Sequence, residues 1–409
     1  MAHPDGPTPF SAAARLAVVG TGFVRAVAEL IIFGYLPIRL HSAGEERLTV
    51  LALISAIPAL VRFVGSGAWG AASSRSGRIK PYLVLGFAAL LAVLLLLGRL
   101  TEPWAAVLAV SLGSLLFSAV APLSKSLVSL LAFGETSRSL AGWLQAESLG
   151  WLVGGAAISW VGTRPEGFQL LLALAAGLIA GELLLILMAL PEVPAAAREE
   201  KAMPRLLDLA KAVASSRIWR ALVAFATLTV ASEGTFTVYG IYLTGILGGS
   251  ERLYGASLTL STLLGVATYW ALGRFSYCLV PERLLTAAAT AYGITYVIMT
   301  SWRDPLVMAA LYALPLYTVA RTGVIWQIAR ETAPTERSAA MGFLDGSEAL
   351  AIGVGSLTAG AIADGLGFPA LFTTFALAAW LVALASRRQP DAEAAGGRRS
   401  EAGSGRYSF

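Results

Sequence analysis

The chain has 409 residues, 56% of them hydrophobic and only 13% charged, and its mean hydropathy is +0.71. A soluble domain carries roughly a quarter charged residues, so this chain has too few to cover a water-facing surface. The net charge of +5 is dispersed over loop ends and does not form a nucleic-acid footprint, and the single Cys278 rules out an internal disulfide or a cysteine metal cluster.

At about 20 apolar residues per span, the length accommodates roughly twelve transmembrane helices. The polar segment Met1–Ser11 lacks the basic start of a cleavable signal and runs directly into the first span. In chain order, apolar runs predict helices over about 14–40, 48–71, 81–99, 103–131, 138–162 and 168–190, then 218–246, 253–276, 283–301, 305–330, 338–363 and 368–386. Pro37, Pro58, Pro122 and Pro315 mark kinks within spans. Between the sixth and seventh helices, Pro204–Ser215 sets Leu206, Leu207, Ala210 and Val213 opposite Arg205, Asp208 and Lys211. That pattern predicts an amphipathic helix on the membrane surface. The expected organisation is a first six-helix bundle (residues 1–190), a linker (191–217), a second six-helix bundle (218–386) and a disordered Gly-, Ala- and Arg-rich tail (387–409).

Placing both termini in the cytoplasm puts about 20 of the 30 Lys/Arg inside and about 6 outside, as the positive-inside rule requires. The expectation is a multi-pass, monomeric protein of the cell (plasma or inner) membrane. The two halves also repeat each other. Arg138-Ser139-Leu140-Ala141-Gly142-Trp143 returns as Arg337-Ser338-Ala339-Ala340-Met341-Gly342-Phe343, and Gly44-Glu45-Glu46-Arg47-Leu48 as Gly249-Ser250-Glu251-Arg252-Leu253. Two similar halves in an apolar chain place a binding site at their seam, near mid-membrane.

The segment after the second helix reads Gly70-Ala71-Ala72-Ser73-Ser74-Arg75-Ser76-Gly77-Arg78. With the two six-helix halves and the long central loop, it resembles the major facilitator superfamily, whose signature loop has Gly, three residues, Asp, Arg, any residue and Gly. The resemblance implies an all-α fold of two pseudo-symmetric six-helix bundles, with Gly70, Arg75, Gly77 and Arg78 in a cytoplasmic gate loop. Ser74 stands where the family has its acid, which removes the usual charge latch, and the matching loop of the second half, Gly273-Arg274-Phe275-Ser276-Tyr277, is eroded. Pro122-Leu123-Ser124-Lys125-Ser126 is similar to the sugar- and nucleoside-symporter side of the superfamily, and the Gly-Pro motif of drug antiporters is missing from the fifth helix.

An ionisable residue at mid-span costs about 2.5–3.5 kcal/mol even on the lenient insertion scale. This chain carries Arg25, Glu29, Arg62, Lys125, Glu147 and Glu182 in its first half, and Glu233, Arg321, Asp345 and Glu348 in its second. Counting from the turns places Lys125 and Glu147 at similar depth on the fourth and fifth helices. Arg321 matches Asp345 and Glu348 likewise on the tenth and eleventh. One reading makes these buried ion pairs that fix helix register, Arg25 and Glu29 pairing along one helix. The other assigns them to cargo and proton. With no intramembrane histidine, a proton must ride on a carboxylate that a neighbouring cation releases. Glu348 or Asp345 beside Arg321 comes first, then Glu29 or Glu233. Glu182 has no evident partner and reads as mechanistically idle. Tyr35, Tyr239 and Trp326 are candidates for lining a central cavity, with Tyr242, Trp270 and Tyr317 beside them, although aromatic residues also anchor and pack helices.

The leading expectation is a secondary active transporter working by alternating access as a proton-coupled symporter, with a sugar- or nucleoside-like cargo slightly ahead. The alternatives are efflux of drugs or organic anions and a non-transporting sensor on the same fold. The expected partners are a small-molecule substrate, protons and the lipid bilayer, with no nucleic acid. No Walker-type loop, metal cluster or Ser/His/Asp set is present in the sequence, so neither an enzyme nor a cofactor or metal site is expected.

Overall fold

The computed structural model describes residues 11–100, 102–131, 136–192, 217–275, 278–331 and 334–387. The regular elements among them are helices. The first half comprises α1 (Ala12–Ser42), α2 (Leu48–Ser76), α3 (Lys80–Leu97), α4 (Pro103–Phe117, resuming as Val120–Leu131), α5 (Thr136–Val161) and α6 (Gly167–Ala189). The second comprises α7 (Ile218–Ile246), α8 (Glu251–Arg274), α9 (Pro281–Ser301), α10 (Pro305–Tyr312, resuming as Leu316–Glu331) and α11 (Pro334–Arg387). Among the described residues, 10 helical stretches are long and apolar enough to cross a membrane. The expected linker helix at 204–215 and the tail beyond 387 lie outside the described residues.

Local chemistry sets the helix ends. Ser11, Ser250 and Asp304 accept backbone N–H groups in the first turns of α1, α8 and α10. Lys80 Nζ donates to the Leu187 and Leu190 carbonyls at 2.9 and 2.7 Å, so the start of α3 closes the end of α6. Pro37 has no N–H for the Phe33 carbonyl, and the turn before it widens into a π-helical segment, Leu30–Tyr35. α4 breaks at Ser118–Ala119, shortly before Pro122, and α10 breaks at Ala313–Pro315. Pro58 stays inside an unbroken α2. Within α11, Gly367 adopts φ 82° and ψ 170°, a conformation open to glycine, and divides the helix into two arms.

One predicted feature needs correction, and one feature is new. α2 runs to Ser76, so Gly70 and Arg75 lie in its last turns and not in a loop, and the chain turns only at Gly77, whose φ of 67° ends the helix. A second π-helical segment, Tyr242–Ile246, closes α7 with no proline to announce it.

α1 packs on α5 and α6, α2 on α4, and α3 on α4 and α6. In the second half, α7 and α9 pack on both α10 and α11. The halves meet along two seams, α2 against α11 and α5 against α8. Glycines permit both close approaches: the Gly255 and Gly155 backbones touch across the α5–α8 seam, and Gly353 and Gly360 of α11 receive Leu60 and Ala52 of α2.

Candidate functional site

Arg25 and Glu29 lie one turn apart on α1 and face the centre of the first bundle, nearly fully buried. Arg25 Nη1 donates to Glu29 Oε2 at 2.7 Å, and its Nη2 donates to Glu147 of α5. Arg62 of α2 reaches Glu29 Oε1 at 3.4 Å, completing a chain Glu147–Arg25–Glu29–Arg62. Two cations balance two carboxylates, which is the condition under which such groups tolerate a low-dielectric interior. Trp143, fully buried, floors the cluster: the Arg25 guanidinium lies 5.8 Å and the Lys125 ammonium 6.0 Å from its ring, and its indole donates to Thr21 at 3.0 Å.

The second cluster lies at the seam. Arg321 Nη2 of α10 is 3.2 Å from Glu348 Oε2 and 4.0 Å from Asp345 Oδ1, both on α11. Tyr317, one turn before Arg321, donates to Glu348 Oε1 at 2.5 Å. Lys125 Nζ of α4 reaches across the halves to Asp345 Oδ2 at 3.5 Å. Asp345 and Lys125 keep side-chain exposures of 54% and 38%, whereas Glu348 keeps 18%. The Asp345–Lys125 pair is therefore the accessible part of the site. Glu233 of α7 lies within the electrostatic reach of Glu348, Arg62 and Arg321.

The expected pairing thus holds in the second half and changes in the first. Arg321 meets Glu348 and Asp345 as depth alone predicted. Glu147 goes to Arg25 because α1 packs directly on α5, and Lys125 turns toward the opposite half. Tyr35 and Tyr239 are packed among helices: Tyr35 donates to the Gly162 carbonyl and to Glu251, while Tyr239 donates to Ser257 and stacks on Tyr312 at 3.9 Å. Trp326 is half-buried on α10. Of the gate-loop residues, Arg75 is exposed, and Arg78 reaches Glu192 at 3.6 Å. Glu182 is buried against Gly20 of α1, and its Oε1 has no hydrogen-bond partner.

One feature escaped the sequence reading. Hydrogen bonds tie the halves together at the end carrying the α1–α2 and α7–α8 turns. Asp364 of α11 accepts Leu48 N and Thr49 N at the start of α2, Ser159 of α5 donates to the Arg252 carbonyl, and Tyr254 of α8 donates to the Gly34 carbonyl. Tyr35 to Glu251 adds a fourth tie. The repeat of Glu45-Glu46-Arg47 as Ser250-Glu251-Arg252 was the available signal. Ser250 caps α8 locally, whereas Glu45 is taken up by Arg47, whose hydrogen bonds hold the Glu45 carboxyl below its usual range. The α2 terminus is left for a partner from the other half.

Helices long and apolar enough to cross a membrane, with charged side chains of α4, α10 and α11 converging between them, fit a membrane transporter. The chain belongs to the MFS_1 like family, whose model matches residues 26–375. No curated protein matches the sequence. Among solved structures, the chain is similar to the nucleoside transporter NupG, with TM-score 0.75 and 14% identity over 92% of this chain and 97% of that one. It is also similar to a POT family transporter in complex with 5-aminolevulinic acid (TM-score 0.70, 12% identity, 91% and 94% covered). The human organic anion transporter MFSD10 gives TM-score 0.63 at 19% identity, with 91% and 99% covered. At these identities the likeness concerns the fold.

Proposed function

We propose that this protein is a proton-coupled secondary carrier that moves a small polar organic solute by alternating access, as a monomer in the cell membrane with both termini cytoplasmic. The carrying observation is the convergence of Lys125 from one half with Asp345, Arg321 and Glu348 from the other, partly open to solvent. Twelve spans follow if Thr136–Val161 crosses the membrane and Gly367 separates two crossings within α11. In this orientation the hydrogen bonds around Asp364 and Glu251 close the exterior, and the charged seam is reached from the cytoplasm.

Electroneutrality supports proton coupling. Among the described residues of the two clusters, four cations (Arg25, Arg62, Lys125, Arg321) face five carboxylates (Glu29, Glu147, Glu233, Asp345, Glu348). One carboxylate in excess favours holding a proton, and which one holds it depends on where Arg321 sits. Rocking the halves moves Lys125 relative to Asp345, so protonation and access become linked. A sugar- or nucleoside-like cargo finds support in the fold shared with NupG. The packing of Tyr35 and Tyr239 removes two stacking surfaces, which favours a cargo recognised by charge.

The test begins with thermal stabilisation of the purified protein by sugars, nucleosides, organic anions and lipophilic cations at two pH values. Any stabilising compound is then followed in proteoliposomes. Exchange across the membrane, with accumulation driven by a pH gradient and lost in Glu348→Gln, is the expected outcome. A compound that binds but never exchanges would overturn the carrier reading and favour a sensor.

A further inference from the structure

The Asp345 carboxylate sits between two cations that belong to different halves, Lys125 Nζ at 3.5 Å and Arg321 Nη2 at 4.0 Å. Neither distance is that of a tight charge-assisted hydrogen bond, which runs about 2.7–2.9 Å. Arg321 already has Glu348 as its own counter-ion, and its buried Nε has no hydrogen-bond partner, so the guanidinium fork is incompletely used. Glu348 is held by Tyr317 as well, whereas the Asp345 side chain is the most exposed of the four, at 54%. Lys125, for its part, is braced over the Trp143 ring. The cations are therefore the fixed members of this arrangement, and Asp345 is the replaceable one.

We infer that the seat between Lys125 and Arg321 is the recognition site for a carboxylate on the cargo, and that Asp345 occupies it as a tethered stand-in when no cargo is bound. The inference rests on the carrier reading and specifies its cargo as a small organic anion bearing a carboxylate. A guanidinium suits such an anion through its planar fork of N–H donors, and the ammonium supplies a point charge from the opposite half. A cargo carboxylate held by both would draw the halves together, which is what a carrier needs of its substrate before it changes access. A cargo carboxylate that displaces Asp345 adds a negative charge beside Lys125, Arg321, Asp345 and Glu348, a local set of two cations and two carboxylates. The balance is restored when Asp345, or Glu348 one turn away, takes up a proton. Anion and proton then travel together without net charge transfer, and anion binding strengthens as pH falls.

An internal competitor makes an unusual prediction: removing its charge improves binding. The probes are benzoate, lactate and 5-aminolevulinate, each compared with its amide, and benzylamine as a cation control, with binding measured calorimetrically on the full chain in detergent. At least one carboxylate is expected to bind while its amide does not. Asp345→Asn and Asp345→Ser are each expected to raise carboxylate affinity about tenfold and to abolish the accompanying proton uptake. Lys125→Gln is expected to lower affinity about tenfold or more. Unchanged or weaker carboxylate binding in both Asp345 variants would overturn the inference, as would failure of every carboxylate to bind. Binding of benzylamine that disappears in Asp345→Asn would assign the site to cations instead. A sugar or nucleoside that exchanges in proteoliposomes while no carboxylate binds would reject the anion seat and leave the carrier reading standing.

Discussion

Asp364 caps a helix that belongs to the other half of the molecule: its two carboxylate oxygens accept Leu48 N and Thr49 N, each at 2.7 Å, at the first turn of α2. The first N–H groups of any helix lack intrahelical partners, and a carboxylate placed there also meets the positive end of the helix dipole. Here the cap exists only while α2 and α11 are together at that end. A local stabilising device has become a fastener between halves.

Asp364→Ala removes the fastener. A lost N-cap is worth about 1 kcal/mol, or roughly a fivefold shift between closed and open states of this end of the seam. In a Cys278→Ser background, a cysteine placed at Ser159, which is buried at the adjacent seam, should react about fivefold faster with an impermeant maleimide when Asp364 is alanine. An unchanged rate would deny Asp364 its fastening function.

The α5–α8 seam depends on Gly255. A methyl group there would strike the Ser159 backbone and lie 2.7 Å from the Gly155 carbonyl, and neither is a flexible side chain that moves aside cheaply. Gly255→Val should hold this end of the seam open and stop exchange, visible as the same maleimide reactivity. Gly177→Ala, with nothing within 4 Å of its added carbon, should behave as wild type.

Arg25 neutralises the buried Glu29 and the half-buried Glu147 at once. Arg25→Leu leaves Glu29 with Arg62 alone and strips Glu147 of its guanidinium, and breaking such a network costs about 3–5 kcal/mol. A pronounced fall in melting temperature in detergent is expected. Arg25→Leu combined with Glu147→Leu should recover part of the loss, because the stranded charge goes with its partner.

Double-mutant cycles distinguish the observed pairing from the one that depth alone suggests. Lys125→Gln with Asp345→Asn should show coupling of about 0.5–1.5 kcal/mol, larger than that of Lys125→Gln with Glu147→Gln. The opposite order, measured by thermal or chemical unfolding, would return Lys125 to its own half.

Much of this architecture was legible beforehand, and the reasons are specific. α3, α6 and α9 fall within a few residues of the apolar runs that predicted them, since hydropathy along a chain reports the bilayer directly. Arg321 and Glu348 were matched by counting from the turn between α10 and α11, because a helix rises 1.5 Å per residue and depth is a one-dimensional quantity. The π-helical end of α7 was not legible. It has no proline to mark it, and its Tyr242 packs against Phe368 and Phe372, more than a hundred residues away in the chain.

The amino-acid sequence by itself determined that the chain is a multi-pass membrane protein, that it has two similar halves, and that charged residues of both fall within the apolar spans, because length, hydropathy, repetition and spacing are all linear properties. Only the tertiary structure decided which charges meet. Glu147 had Lys125 at its own depth and took Arg25, and Asp345 had Arg321 beside it and is also reached by Lys125 from the opposite half. Those choices depend on the rotation of each helix about its axis and on the distance between bundles. Both are set by packing among many residues at once, and no single stretch of chain encodes them.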